Sequence, residues 1–194
     1  MRSIDFFFDF SSTNSYFAAF MLPQLAAKTG TEVNWLPIHS AGLFRGTGFD
    51  VMAMTPRKAR YLWRDHARYA EFTGLPFRKP SRFPIKTATA LRCAIALSGP
   101  ARTAFCQAVF RSYWERDEDI SDPPVLGALA RGAGLEADAI LRAAGSPEIR
   151  GELRAITSQA AERGVFGVPM FSVDGEMFWG KDRLDFVARL LERA

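Results

Sequence analysis

Few residue types in this chain lend themselves to chemistry, and most familiar arrangements of them are missing. The two cysteines, Cys93 and Cys106, form no CxxC pair and cannot build a disulfide framework. The two histidines, His39 and His66, sit in no ligand-spaced cluster, so no metal site is expected. No GxSxG elbow accompanies His39, which argues against a serine hydrolase. Gly46-Thr47-Gly48 lacks the Lys-Ser/Thr of a phosphate loop, and the Rossmann spacing also fails. What remains is a run of short polar side chains, Ser11-Ser12-Thr13-Asn14, set between an aromatic segment and an apolar one. Such a run offers hydroxyl donors, and it is equally a set of good helix N-caps.

A second chemical feature is charge. Arg57, Lys58, Arg60, Arg64, Arg68, Arg78, Lys79, Arg82, Lys86 and Arg92 crowd residues 57–92, opposed there by Asp65 and Glu71 alone. That segment is +8 in a chain whose 25 basic and 21 acidic residues give +4 overall. It reads either as a solvated helix face or as a basic wall beside a site for small anions such as carboxylates. Nucleic acid is not expected, because no element for groove or base readout accompanies the charge.

The elements that must position these groups follow from periodicity. Ile4 to Phe10 (IDFFFDF) reads as a buried strand ended by the polar run. A helix follows, stopped by Gly30 and expected to bend or break at Pro23; Glu32 to Leu36 then alternates as a second strand. Strand, crossover helix and strand make a right-handed parallel βαβ unit. Residues 40–145 read as helical throughout: Thr55 caps a helix to Gly74, Thr87 one to Ser98 with Gly99-Pro100 as its stop, and further helices run over 101–115, 123–132 and 137–144. Ser146-Pro147 opens a helix to Arg163. Met170–Val173 and Glu176–Trp179 then flank Asp174-Gly175, the dipeptide of a tight hairpin, before a last helix over 182–192. The order βαβ, helical segment, αββα is that of an α/β thioredoxin-like fold with a large all-helical insertion. The expected organisation is a thioredoxin-like domain of residues 1–39 and 146–194, with 40–145 inserted. Cys93, Cys106, Phe166 and Trp179 are expected in the core. The start MRSIDFFFDF is too short and acidic for a secretory signal, and no apolar run nears the roughly 18 residues of a membrane helix. A cytoplasmic protein without membrane association is the expectation.

Three stretches carry a resemblance to a known family: FDFSSTNSYFA (8–18), YWERDEDISDP (113–123) and GVFGVPMFSVDGEMFWGKDRLDFV (164–187). The chain resembles the 2-hydroxychromene-2-carboxylate isomerases, which are similar to kappa-class glutathione transferases within the DsbA-like thioredoxin superfamily. The likeness spans essentially the whole chain. It implies glutathione as cofactor and a thiol-assisted isomerisation of an aromatic or conjugated organic acid, a small-molecule substrate; a kappa-type transferase or a non-catalytic thiol- or peptide-binding module are the alternatives, and homodimers are common among such relatives. Residues 12–15 then stand where redox relatives carry CxxC, and hydroxyls cannot form the mixed disulfide of thiol exchange. The resemblance implies that Ser12 and the free N–H groups of the helix stabilise the thiolate of glutathione. It further implies a cis Val168-Pro169 bond whose backbone pairs with the cysteinyl residue, and Asp182-Arg183 at the γ-glutamyl end. Asn14, Lys58 and Lys86 are candidate substrate-pocket residues, the lysines for a substrate carboxylate. Thr13 stands where the family has proline, and residues 46–50 lack the asparagine that often follows Thr-Gly there.

Overall fold

The computed structural model describes residues 2–45 and 53–193, so the Gly46–Asp50 stretch lies outside the described residues. A four-stranded sheet forms the centre, in the order β2-β1-β3-β4, from β1 (Ser3–Phe8), β2 (Glu32–Pro37), β3 (Met170–Val173) and β4 (Glu176–Trp179). β1 pairs with β2 in parallel, Phe6 opposite Trp35, and with β3 antiparallel, Phe6 opposite Phe171. Period-2 alternation sends Ile4, Phe6 and Phe8 to one face and Phe7 to the other. The first face is stacked with aromatics: Phe6 lies 5.1 Å from Trp35 and 5.6 Å from Phe171, centroid to centroid.

Helix α1 (Thr13–Thr29) crosses that face, ending at Gly30, whose φ of 64° closes the last turn as an αL cap. Of the bend or break expected at Pro23, the break does not occur; α1 is continuous over Thr13–Thr29. A proline deprives the carbonyl four residues earlier, Ala19, of its helical donor. Gln107 of α5 (Gly99–Trp114) donates its Nε2 to that oxygen at 3.4 Å, which offsets the loss. Gly99-Pro100, read as a stop, is instead the first turn of α5, where proline's missing N–H costs nothing.

The helices between β2 and β3 are α2 (Ser40–Leu43), α3 (Pro56–Thr73), α4 (Ala88–Ile95), α5, α6 (Pro123–Gly132), α7 (Ala137–Gly145) and α8 (Pro147–Glu162). Among the described residues no strand falls between 40 and 145. Side chains of α4 to α7, including Leu91, Phe110, Trp114 and Ile140, share one core with Phe6 and Phe8. Ala160 of α8 and Leu43 of α2 cover the opposite face around Phe7 and Met170. A 3-10 turn (Lys181–Arg183) leads from β4 into α9 (Leu184–Glu192), which packs beside α1. Among the described residues no helix is long and apolar enough to cross a membrane.

Candidate active site

The turn between β1 and α1 is built on Asp9, a carboxylate only 1% exposed. Its Oδ1 accepts from the Ser11 N–H and hydroxyl, both at 3.1 Å; its Oδ2 accepts from the Ser40 N–H at 2.9 Å and hydroxyl at 2.7 Å. The buried charge therefore ties the start of α1 to the start of α2. The Ser12 N–H donates to the Asp9 carbonyl at 3.1 Å, which presents Ser12 at the N-cap position. There its Oγ accepts from the Ser15 N–H at 3.1 Å and its hydroxyl donates to the Val168 carbonyl at 3.3 Å. Thr13 and Asn14, as the first helical residues, have N–H groups with no intrahelical acceptor, and they carry the positive end of the helix dipole. Asn14 is half-buried, and its Oδ1 is buried without a hydrogen-bond partner, as is the Ser15 hydroxyl.

Opposite Ser12, the Val168–Pro169 peptide bond is cis. The Pro169 carbonyl accepts from the Gly180 N–H at 3.0 Å, so the loop before β3 is fastened to the end of β4. Trp179 lies across Gly167: a Cβ there would stand 2.8 Å from the indole nitrogen, and only glycine leaves that space. Phe166 and Trp179 meet edge to face at 5.1 Å but remain 60% and 55% exposed. They are not core residues as expected. β4 is the sheet's edge strand, and Phe166 precedes β3, so neither side chain has a second layer to enter.

Asp182 and Arg183 occupy the 3-10 turn, both exposed, and pair with each other at 2.8 Å. Gly180 has φ of 104°, and a Cβ there would stand 2.6 Å from the Asp182 Oδ1, so the carboxylate folds back over the glycine. Lys181 points elsewhere: its Nζ lies 3.9 Å from the centre of the Tyr69 ring and 5.9 Å from that of Phe17. Burial pulls its pKa below the ordinary lysine value, against the opposing fields of Asp182 and Asp65. His66, on the same face of α3 as Tyr69, packs edge-on to Trp63 and Phe77. Burial first and the Lys181 charge second lower its pKa to about 4, so its imidazole is neutral at pH 7. Its Nδ1 is buried without a hydrogen-bond partner. Tyr69, raised by burial and by Asp182 and Asp185, donates its hydroxyl to the Met21 sulfur at 3.3 Å.

Lys181, His66 and Tyr69 were not among the residues singled out by sequence. A signal existed for each: Lys181 directly precedes Asp182, and Trp63, His66 and Tyr69 recur at intervals of three along α3. Lys58 and Lys86 are exposed, at the first turn of α3 and just before Thr87, and among the described residues neither ammonium forms an ion pair or stacks on a ring. The basic segment is partly neutralised by later acids, Arg78 with Asp117 at 3.7 Å and Arg82 with Asp119 at 3.6 Å. Cys93 and Cys106 lie in the core on α4 and α5, as expected; burial pushes the Cys93 thiol up to about 12 and raises the Cys106 thiol as well. Neither thiol is available to the cleft. Among the described residues no group of three His, Cys, Asp or Glu is placed to hold a metal ion.

Over residues 3–192 the chain matches the DSBA-like thioredoxin domain family. It is 35% identical to a 2-hydroxychromene-2-carboxylate isomerase of Sphingobium xenophagum, with 98% of both chains covered. It is 25% identical to glutathione S-transferase kappa 1 of Homo sapiens, covering 98% of this chain and 91% of that one. Among solved structures, a 2-hydroxychromene-2-carboxylate isomerase superposes with a TM-score of 0.88 at 26% identity, over 98% of this chain and 95% of the other.

Proposed function

Since this chain belongs to the DsbA-like thioredoxin family, in the branch that holds the 2-hydroxychromene-2-carboxylate isomerases and kappa-class glutathione transferases, we propose that it is a glutathione-dependent isomerase acting on an aromatic or conjugated organic acid. The observation that carries the reading is the placement of Ser12. A hydroxyl, not a thiol, caps α1 beside the Val168 carbonyl, while both cysteines of the chain are shut into the helical core. Disulfide exchange by the protein's own sulfur is thereby excluded at this site, and a thiol has to come from a ligand.

The surroundings suit glutathione. The first-turn N–H groups and the Ser12 hydroxyl together favour an anionic sulfur next to the helix end. The backbone of Val168, on the strand side of the cleft, is the partner for the cysteinyl peptide units. Asp182, exposed and at the start of the last helix, is the group for the γ-glutamyl ammonium, with Arg183 beside it. Bound there, glutathione supplies a nucleophilic sulfur that the chain lacks.

The chain's own contributions are then three. Ser12 turns its hydroxyl proton from the Val168 oxygen to the sulfur, and the helix end adds its field. A fall of one unit from the free-thiol value of about 8.5 corresponds to about 1.4 kcal/mol and raises the thiolate fraction at neutral pH severalfold. The cleft holds both partners in one frame, which removes the entropic cost of their encounter. Trp179 and Phe166 offer an aromatic rim to a planar substrate.

Calorimetry with glutathione tests binding, and ultraviolet absorbance of the thiolate against pH tests activation. Binding is expected, with the bound thiol titrating well below 8.5 and Ser12→Ala raising that midpoint by about one unit. An absence of heat at millimolar glutathione overturns the reading. Retained binding with an unmoved midpoint removes Ser12 from the mechanism; binding that survives Ser12→Ala with turnover absent leaves a thiol-binding module.

A further inference from the structure

Cations stacked on aromatic rings recur in this molecule, and in most cases a carboxylate completes the contact. Arg111 lies over Phe20 and also pairs with Glu115 at 3.6 Å. Arg163 lies over Phe7 and pairs with Asp5 at 2.7 Å; Arg183 lies over Phe186 and pairs with Asp182 at 2.8 Å. Lys79, over Trp63, is exposed and keeps its water. Lys181 differs from all of them. It is half-buried against Tyr69 and Phe17, yet among the described residues its ammonium has neither an ion pair within 4 Å nor a hydrogen-bond acceptor. The two acids whose fields reach it pair with other cations, Asp182 with Arg183 at 2.8 Å and Asp65 with Arg68 at 3.8 Å. A ring face replaces only part of the hydration that a half-buried ammonium gives up. The unused donors are therefore available to an incoming anion.

Position narrows what that anion is. Lys181 follows Gly180, which is bonded to the Pro169 carbonyl, and Pro169 is joined to Val168, whose carbonyl holds Ser12. Phe17 stands one turn beyond Thr13 on α1. Near the ammonium lie the partly exposed rings of Tyr69 and His66, backed by the fully buried Phe17 at 4.9 Å from Tyr69 and 6.4 Å from His66. Neutral His66 adds no competing positive charge. A cation backed by aromatic faces, on the side of α1 that carries Phe17, matches a planar acid: carboxylate on the ammonium, ring against Tyr69 and His66.

We propose that Lys181, rather than the exposed Lys58 or Lys86, receives the carboxylate of the organic acid substrate, its ammonium steadied on the Tyr69 ring. This deepens the reading of the chain as an enzyme for an aromatic or conjugated acid and rests on it.

The probes are cinnamate, a planar conjugated acid, and cinnamamide, its uncharged counterpart, titrated calorimetrically against the whole chain with and without glutathione. The wild-type protein is expected to bind cinnamate at least tenfold more tightly than the amide. Lys181→Met, of similar length and shape, is expected to weaken cinnamate about tenfold while leaving the amide and glutathione unchanged. Lys181→Arg, which keeps the charge, is expected to preserve the preference for the acid. Equal binding of acid and amide by the wild type, or an unchanged preference in Lys181→Met, overturns the proposal. A loss confined to glutathione in Lys181→Met also overturns it, since the ammonium would then serve the tripeptide. Failure of glutathione to bind the wild type strikes the isomerase reading instead, and the comparison of acid with amide is still decided without it.

Discussion

Two charges border the N-terminal half of α1, and they are treated in opposite ways. Asp9 is almost fully buried and accepts from two backbone N–H groups and two hydroxyls, so nothing of its hydrogen-bonding capacity is left for a ligand. Lys181 is only half-buried, yet it meets ring faces and no acceptor. A saturated buried charge fixes geometry, because removing any partner leaves another one orphaned. An unsaturated charge at the rim does little for the fold and retains its capacity for binding. The site thus has a floor and a rim: the floor sets where Ser12 stands, and the rim selects what approaches it.

Breaking the floor has the largest expected effect. Asp9→Ala leaves the N–H groups of Ser11 and Ser40 without their acceptors in a closed environment, and the expected loss is about 3 kcal/mol, seen as a lower midpoint in urea. Asp9→Asn fares only partly better, since one of its two terminal atoms becomes a donor facing the donors of Ser40. A loss below about 0.5 kcal/mol in Asp9→Ala would mean that the turn holds itself and the carboxylate is not its anchor.

A second, smaller effect sharpens the contrast from the rim. His66 is held neutral down to about pH 4, whereas in the unfolded chain it takes up a proton near 6.5. Above pH 6.5 the imidazole is neutral in both states and contributes no pH dependence. Between 6.5 and about 4 the unfolded state alone binds the proton, so stability falls as the pH is lowered through that window. Allowing for its partial exposure, the loss approaches about 2 kcal/mol at the acid end. His66→Leu is expected to remove this part of the acid sensitivity, measured as the difference between the two urea midpoints at pH 7 and pH 4.5. Parallel curves for the two proteins would show that the histidine is not buried as described.

The floor was legible in the sequence to a greater degree than the rim. Caps announce themselves locally: Ser12, Thr55 and Ser146 each accept from the N–H three residues on, and Asp174-Gly175, with φ of 50° and 86°, makes the expected hairpin turn. Ser12 and Val168 were expected to converge, an expectation owed to the family likeness, and their hydrogen bond is in place. What local pattern misses is tertiary rescue and edge exposure. Pro23 signals a break because the donor that saves Ala19 sits on Gln107, far away in sequence. Trp179 and Phe166 signal core because their hydrophobicity says nothing about β4 being an edge. Lys181 was passed over for a related reason: a lysine in a run of charged residues reads as solvated until Tyr69, more than a hundred positions earlier, is brought beneath it.

The smallest effect is the most telling about Lys181. Replacing it by Met removes the attraction to the Tyr69 ring, worth about 0.5–2 kcal/mol, and at the same time removes the cost of holding an ammonium partly away from water. Met also keeps a favourable contact with the ring through its sulfur. These terms oppose one another, so the net change in unfolding free energy is expected to lie within about 0.5 kcal/mol of zero. Losing the nearby positive charge lets the His66 pKa rise, because the Lys181 field is one of the two causes that lower it, and proton NMR of the imidazole follows that shift directly. An unmoved histidine would place the ammonium away from α3 and undo the picture of the rim. A loss of more than about 1.5 kcal/mol would make Lys181 a structural strut like Asp9. Near-neutral stability with a displaced His66 titration keeps the two charges in separate classes: one that the fold requires, and one that the fold only tolerates.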